Sequence, residues 1–441
     1  MMNNKEFWHM LRYGTHAEQK YYLGRFQSHY DILMFNAHIV AYTPGGIAAF
    51  IVEKIKGKKY IIDPITHAFA HSPGKIMIEK EDGPPELKAS LKSLIEYFGD
   101  PVASKAGKKS ITPDDFSDQS LTKAFTLRVL NFQENIVNQC IQESEYSKYL
   151  DKTLVYPEVL IPPYFYMTSV SYEDWLPKNK NFIEIAKREK PSRKIFGEVV
   201  ISQDMLTAKK ILDDLASNYK DIGCDGIFIW VDGFSEHTAS KEALCNLKYL
   251  VEHFADNKIP AYNLYGGYYS VLLCKEGLLS GVCHGIHYGE EREVIPVGGG
   301  IPRAKFYLPG VHSRLRYADI AFSINANNWW SITEYKKHIC WCKTCQEVID
   351  DTIDNFKKYG KEIRKVTRSR SGHELTFMIP SGESKELCIG HYLDNKKKEF
   401  EDINLKSKEE LKKDLIENFG KFKDTLGIET VGHLKIWHDT I

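Results

Sequence analysis

The sequence predicts an α/β fold: a (β/α)8 barrel of the TIM type, followed by a zinc-binding helical subdomain. Short segments rich in β-branched and aromatic residues recur along the chain, and stretches with helical periodicity separate several of them. Strands that alternate with helices imply parallel pairing, and about eight such units favour a barrel. The first predicted strand is not followed by a G-x-G-x-x-G turn, which argues against the rival, an open doubly wound sheet.

We expect residues 1–312 to form the barrel with an N-terminal extension, and residues 313–441 to form the subdomain. Two of the helices between the strands are clear, at 202–223 and 240–258, because apolar residues recur there at i, i+3, i+4 and i+7. The predicted strands are 31–40, 59–66, 159–167, 194–202, 225–233, 259–267, 281–289 and 304–312.

The composition is that of a globular protein, since 43% of the 441 residues are hydrophobic and 27% are charged. The formal net charge of zero excludes a global attraction to polyanions, although Lys and Arg crowd into the C-terminal region. These basic stretches predict either a solvated helical surface or a patch that faces nucleic acid phosphates. No apolar run reaches the roughly 18 residues of a membrane span, and the start lacks a signal-peptide pattern. We therefore expect a cytoplasmic protein with reduced cysteines and no membrane partner.

Polar residues cluster at the ends of the predicted strands, where the chemistry of a barrel takes place. A buried carboxylate near a histidine has its pKa pulled in two directions, which is how acid/base pairs are built. We predict three of these residues to be catalytic: Asp63, His284 and Asp232. We predict five others to bind substrate: Asn36, His67, Glu198, Glu236 and His287.

Three cysteines form the pattern C-x-C-x-x-C at Cys340, Cys342 and Cys345. Thiolates at this spacing can close on one tetrahedral ion, and zinc is the usual metal of sulfur-rich structural sites. A histidine commonly completes such a site, and the sequence offers His373 and His391 downstream, with Cys388 and His338 as further options. We therefore predict a structural Zn²⁺ held by the three cysteines and one of these histidines.

A parallel barrel that ends in C-x-C-x-x-C with a later histidine resembles the tRNA-guanine transglycosylase superfamily, which includes the DNA-modifying deazapurine transglycosylases. The resemblance implies exchange of a guanine-type base for a deazapurine in tRNA or DNA, with Asp63 as the conserved active-site aspartate. The helix that contains "HYLDNKKKEF" resembles the family's zinc helix, which favours His391 over His373. The strands that carry the resemblance are "DILMFNAHIVAYTPG", "KKYIIDPIT", "KIFGEVVIS", "DGIFIWVDGFSE" and "IPAYNLYGG".

The chain departs from the family pattern at the base-reading positions and at the nucleophile. The family's nucleophilic aspartate corresponds by count to His284, its glutamine to Val200, and its paired glycines to Trp230 and Val231. Two functions therefore stay open: a transglycosylase-like enzyme, or a non-catalytic paralogue that binds nucleic acid or a partner subunit. A homodimer or a heterodimer is compatible with either. A third alternative, an unrelated metal-dependent barrel hydrolase, fits poorly, because His284 and His287 lie three residues apart on one strand and point to opposite faces.

Overall fold

The computed structural model describes residues 7–14, 23–80, 83–143, 145–286, 289–295, 304–368 and 374–441. Short strands and longer helices alternate through its first two thirds, and helices dominate the rest. The strands are β1 (Trp8–Tyr13), β2 (Ile32–Asn36), β3 (Lys59–Asp63), β4 (Met77–Lys80), β5 (Gly83–Leu87), β6 (Phe196–Ile201), β7 (Gly226–Val231), β8 (Ala261–Asn263), β9 (Gly281–Gly285), β10 (Lys305–Leu308), β11 (Ser313–Arg316), β12 (Glu362–Arg368) and β13 (Glu374–Pro380).

The α-helices pack around the sheet and form most of the C-terminal third. They are Ala37–Tyr42, Pro44–Ala49, Pro73–Ile76, Ala89–Phe98, Val102–Lys105, Gln119–Glu143, Tyr172–Glu189, Lys209–Ile222, Lys241–Asp256, Tyr268–Lys275, Tyr317–Ala326, Ile332–His338, Lys343–Ile349, Gly382–Leu405, Lys408–Leu426, Ile428–Val431 and His433–Thr440. None of the helices in the described part of the chain combines the length and the apolarity that crossing a bilayer would need.

Seven strands form one sheet in the order β3–β2–β1–β9–β8–β7–β6, and every neighbouring pair in it is parallel. The predicted α/β class with parallel pairing is therefore confirmed. The register sets Asn36 opposite Asp63, and Arg12 opposite Met34 two positions before the end of β2. Because parallel strands end at the same edge, these polar side chains meet there.

One face of the sheet encloses a cluster of buried, mostly apolar side chains, the inner cluster. Every strand of the sheet contributes to this cluster, so the sheet is curved into a partial barrel whose inner face is packed with side chains. Helices cover the outer face through a second, larger core. The inner cluster consists of Met10, Ile32, Met34, Ile61, Val159, Ile161, Tyr164, Phe196, Val200, Phe228, Trp230, Tyr262, Leu264, Tyr265, Cys283 and Val294.

The segment 158–167 lies between the two edge strands without forming a regular strand. Glu158 donates its backbone N–H to the Tyr60 carbonyl of β3 (2.8 Å), and Phe196 of β6 donates to the Leu160 carbonyl (3.0 Å). The segment contains Pro162 and Pro163, which have no N–H to give to a ladder, and only isolated parallel bridges form.

A side chain of the long helix Gln119–Glu143 completes the backbone hydrogen bonds of this irregular segment. The Gln133 amide accepts from the Ile161 N–H at 2.9 Å and donates to the Ile161 carbonyl at 2.7 Å. The predicted strand at 159–167 is therefore not formed as a regular strand, although the segment makes isolated bridges in the predicted parallel direction.

The sheet differs from the prediction in two further ways: it includes one strand that we did not predict, and it lacks one that we did. The sheet includes β1, which we did not predict. Arg12 and His9 make its sequence look polar, although successive side chains of a strand point to opposite faces of the sheet. The predicted strand at 304–312 is not part of the sheet. It turns back after Leu308 at Pro309 and Gly310, a turn pair, and β10 pairs with β11 in a separate hairpin.

Candidate active site and metal centre

An ion pair lies where β1, β2 and β3 end on the inner face of the sheet. The guanidinium of Arg12 donates through Nη2 to Asp63 Oδ2, and it also donates to Asn36 Oδ1 at 2.5 Å. Both charged side chains are buried, with 6% of Arg12 and none of Asp63 exposed. Asp63 and Asn36 were predicted as site residues, but the arginine that joins them was not.

The second oxygen of Asp63 is also held by donors. Oδ1 accepts hydrogen bonds from the Tyr164 hydroxyl at 2.6 Å and from the Ile65 N–H at 2.9 Å. Ile65 adopts a left-handed backbone conformation, with φ of +48°, which is strained for a β-branched residue and occurs typically at functional turns. Burial alone raises the pKa of Asp63, but the charge of Arg12 and the Tyr164 hydrogen bond lower it below its usual value. Asp63 is therefore an ionised carboxylate.

Glu198 of β6 is a second carboxyl group on the inner face, and its environment is the opposite. It is 2% exposed, and neither of its oxygens has a hydrogen-bond partner by geometry among the described residues. Burial raises the pKa of Glu198 well above its usual value, and the charge of Asp63 raises it further. Its environment therefore favours the neutral form of Glu198, whereas that of Asp63 favours the ionised form.

Aromatic rings line the space around these carboxyl groups. The His67 ring stacks on Tyr164 with centroids 5.3 Å apart, and it meets Trp230 edge-on at 5.2 Å. Tyr265 packs against Trp230 at 4.9 Å and lies under the Arg12 guanidinium at 5.0 Å. Burial lowers the pKa of His67 to about 3, so the imidazole is neutral at physiological pH.

Asp232, predicted as catalytic, holds a loop over the end of the sheet. Its Oδ1 accepts from the Val294 N–H at 2.7 Å, and its Oδ2 accepts from the Tyr166 hydroxyl at 2.9 Å. The Trp230 indole donates to the Arg292 carbonyl of the same loop at 2.9 Å. Through its two hydrogen bonds Asp232 positions residues 289–295, and its catalytic role stays a prediction.

Glu236, predicted to bind substrate, satisfies the N-terminus of the helix Tyr268–Lys275. It accepts from the Gly267 N–H at 2.9 Å and from the Ser270 hydroxyl at 2.5 Å. Burial raises the pKa of Glu236 to about 7. These bonds are those of a residue that caps a helix.

The structure does not bring His284 to Asp63. Cys283 of β9 belongs to the inner cluster, and His284, the next residue, therefore points to the outer face of the sheet. Its Nδ1 lies 2.9 Å from the Tyr392 hydroxyl, which donates to Glu290, so Nδ1 carries the proton. Its Nε2 then accepts from His9 Nε2 at 2.8 Å. His287 lies outside the described residues.

A buried polar network continues from His284 beneath the helix Gly382–Leu405. Lys396 forms ion pairs with Glu290 at 2.8 Å and with Glu399 at 3.0 Å, and His312 bonds to Glu399 at 2.7 Å. Sequence reasoning missed this network, because the run "DNKKKEFED" has the charge density of a solvated surface. The lysine–glutamate spacing of i, i+3 was the available signal.

Cys340, Cys342, Cys345 and His391 come together in the C-terminal third. Their sulfur and imidazole nitrogen atoms all lie within 4.8 Å of one another, with Nδ1 of His391 3.2 Å from Cys342 Sγ and 3.3 Å from Cys345 Sγ. Three soft thiolates and one imidazole form a ligand set that can hold a metal ion. His391 is therefore confirmed as the histidine of the cluster, and His373 lies outside the described residues.

The surroundings of the cluster orient its ligands. His391 donates from Nε2 to the Tyr307 carbonyl at 2.6 Å, which leaves the lone pair of Nδ1 directed at the sulfur atoms. Phe306 stacks on the imidazole at 4.1 Å. Asp394, almost one turn along the helix, accepts from the Thr344 N–H at 2.7 Å and fixes the cysteine segment. These contacts fix the orientation of a ligand set that could hold a metal ion.

No family model and no curated protein matches this chain. Its function is therefore inferred from the chemistry of its own residues.

Proposed function

We propose that this protein is a transglycosylase-like enzyme that exchanges a guanine-type base for a deazapurine in nucleic acid. The observation that carries the proposal is a pair of buried carboxyl groups on the inner face of the parallel sheet. Asp63 forms an ion pair with Arg12, and Glu198 has no hydrogen-bond partner by geometry among the described residues. Two carboxyl groups whose pKa values are pushed apart can act as an acid and as a charge stabiliser. Reactions that break a bond to the anomeric carbon of a sugar commonly use such a pair.

The two carboxyl groups divide the reaction between them. As the bond between the anomeric carbon and the departing base breaks, Glu198 donates its proton to that base. The Asp63 carboxylate stabilises the positive charge that develops on the sugar. The entering base returns a proton to Glu198 as it forms the new bond to the anomeric carbon, so atoms and protons balance. This assignment dispenses with the nucleophilic aspartate of the resembled family, whose place by count is taken by His284.

We also propose that the segment 158–167 closes the partial barrel as an eighth staggered strand. Its hydrogen bonds to Tyr60 of β3 on one side and to β6 on the other support closure, as does its contribution of Val159 and Ile161 to the inner cluster. In a closed barrel, Asp63 and Asn36 face the mouth at the carboxyl ends of the strands, where substrates bind.

The metal of the Cys340–His391 cluster is, in this proposal, a structural zinc ion. Three thiolates and one imidazole fill the four positions of a tetrahedral site and leave none for substrate. Zinc would supply folding energy here rather than chemistry.

A second candidate function is a non-catalytic paralogue that binds nucleic acid or a partner subunit. The observation that favours it is the burial of Tyr164 and Trp230 on the inner face, where the Tyr164 hydroxyl is bonded directly to Asp63. In an enzyme, these rings must move or stack against the substrate base.

An exchange assay tests the proposal. Purified protein is incubated with bulk tRNA or genomic DNA that carries radiolabelled guanine, with a deazapurine as the entering base. Release of labelled guanine that requires the deazapurine supports base exchange. Absence of release from both polymers overturns it and leaves the paralogue.

A further inference from the structure

Strands β12 and β13 form a two-stranded ribbon that leaves both of its faces uncovered. They pair antiparallel over their whole length, with Lys365 opposite Phe377 and Arg364 opposite Met378. From Glu362 to Val366, and from Glu374 to Met378, every side chain is exposed. An isolated ribbon of this kind is marginally stable in water, so a surface that docks against it would explain its persistence.

The ribbon exposes apolar side chains on both faces. Residues directly opposite each other share a face, and successive residues alternate between the faces. Exposed contiguous apolar surface of this kind marks an interaction site. Between 41% and 59% of each apolar residue remains accessible: Ile363, Phe377 and Leu375 on one face, and Val366 and Met378 on the other.

The two strands of the ribbon carry three basic and two acidic residues: Arg364, Lys365 and Arg368 against Glu362 and Glu374. Lys365 lies on the face of Phe377, and Arg364 lies on the face of Met378. Both are exposed, and neither forms an ion pair with any residue that the structure describes. The Lys365 face of the two strands has no acidic residue, whereas the Arg364 face also carries Glu362 and Glu374. The strands together have a net charge of +1, and this sign suits a polyanion.

The metal centre fixes both ends of the ribbon. Before β12, the Tyr359 hydroxyl lies 3.4 Å from Cys345 Sγ, and the Tyr359 carbonyl accepts from Ser384 Oγ at 2.5 Å. After β13, the chain enters the helix Gly382–Leu405, which carries His391. Where the two strands meet the domain, the Ser381 N–H donates to the Lys361 carbonyl at 2.9 Å. The ribbon therefore projects in a defined direction.

We propose that this ribbon docks into the major groove of duplex DNA. The groove is about 12 Å wide and admits a two-stranded β-ribbon, whose strands are about 4.8 Å apart. The ribbon's basic side chains reach phosphates on the groove walls, and its apolar side chains contact base edges such as the thymine methyl group. The major groove of an RNA helix is too deep and narrow for such an element, so the ribbon selects DNA over tRNA. The inference rests on the proposed function only in taking a nucleic acid as the polymer.

Fluorescence anisotropy with a labelled DNA duplex and with labelled tRNA, across a range of salt concentrations, tests the proposal. The double variant Arg364→Glu/Lys365→Glu should bind duplex DNA at least ~10-fold more weakly. The log–log salt slope should also fall by about 1.8, or about 0.9 for each phosphate that the ribbon no longer neutralises. The matched control Lys210→Glu/Lys220→Glu reverses two exposed charges on the helix Lys209–Ile222 and should bind like wild type.

A second variant separates groove contacts from charge. Phe377→Ala/Met378→Ala should weaken DNA binding several-fold with the salt slope unchanged, because it removes apolar side chains only. Circular dichroism and metal content should match wild type in every variant, since the substituted side chains are exposed.

Four results would overturn the proposal: no duplex binding by wild type at low salt, wild-type affinity in the charge-reversed variant, tighter ribbon-dependent binding of tRNA than of DNA, or a dimer that the ribbon variants convert to monomer. The last result would assign the ribbon to a second copy of the chain. Because binding is measured without turnover, a protein that binds DNA through the ribbon but exchanges no base would contradict the proposed function alone.

Discussion

Arg12 on β1 and Asp63 on β3 form a buried ion pair across the end of β2. The sheet order makes this pairing possible, because β1 and β3 flank β2 and all three strands end at the same edge. Asn36, the last residue of β2, accepts a second hydrogen bond from the same guanidinium nitrogen. One arginine thus links the polar ends of three adjacent strands and keeps Asp63 ionised in an apolar interior.

Removal of the arginine should destabilise the fold strongly. Arg12→Met leaves the Asp63 carboxylate without its charge partner, and breaking a buried pair on one side costs about 3–5 kcal/mol. Chemical denaturation at neutral pH measures this cost. The control Lys56→Met removes an exposed partner of Asp151 and should leave the unfolding free energy nearly unchanged. Equal effects of the two substitutions would show that the buried pair does not contribute in this way.

The metal cluster should depend on His391. His391→Ala should lose the metal from the purified protein and lower stability, because binding of a structural metal is folding free energy. Elemental analysis measures the metal, and a chelator added to wild type should reproduce the loss of stability. His338→Ala is the control, since His338 pairs with Glu334 outside the cluster and its removal should leave the metal in place. A metal that persists in His391→Ala would contradict the ligand set.

His284 should affect the pH dependence of stability rather than the chemistry. Burial lowers its pKa to about 3, below the roughly 6.5 of an unfolded histidine. The neutral folded form therefore contributes stability that is complete above pH 6.5 and is lost as the pH falls towards 3. One proton corresponds to a slope of about 1.4 kcal/mol per pH unit.

Denaturation of wild type and of His284→Gln from pH 7 to pH 4.5 measures this slope. The unfolding free energy of the variant should fall less steeply on acidification, by about 1.4 kcal/mol per pH unit. His438→Gln is the matched control for removal of one partly exposed imidazole on the C-terminal helix. Parallel curves for wild type and His284→Gln would mean that His284 does not titrate as its burial requires.

The parts of the site that lie in local sequence patterns could be predicted. The spacing of Cys340, Cys342 and Cys345 defines a ligand set without any knowledge of the fold. Asp63 follows an apolar strand, so its place at the end of the sheet could be deduced from the sequence.

The parts that depend on register and on tertiary packing could not be predicted. Arg12 lies in a short strand whose sequence looks polar. That its side chain faces inward follows only from the register of β1 with β2 and β9. The face of β9 that carries His284 follows only once Cys283 is known to point inward. Lys396 lies in a run of lysines, and the i, i+3 spacing to a glutamate does not single it out, because Lys398 and Glu401 share that spacing. Only the fold shows that Glu290 and Glu399 compensate the charge of Lys396 in the interior.

The central claim is that a buried ionised Asp63 and a buried neutral Glu198 together perform base exchange. The most direct measurement is the single-turnover exchange rate of wild type, Asp63→Asn, Glu198→Gln and the control Glu184→Gln, an exposed carboxylate on the helix Tyr172–Glu189. The first two substitutions preserve side-chain volume, so circular dichroism and metal content can verify folding. The account predicts a loss of about 10²–10⁴-fold for Glu198→Gln, as expected for a general acid, a comparable loss for Asp63→Asn, and no loss for Glu184→Gln. A wild-type rate in either of the first two variants, or an inert wild type, would contradict it.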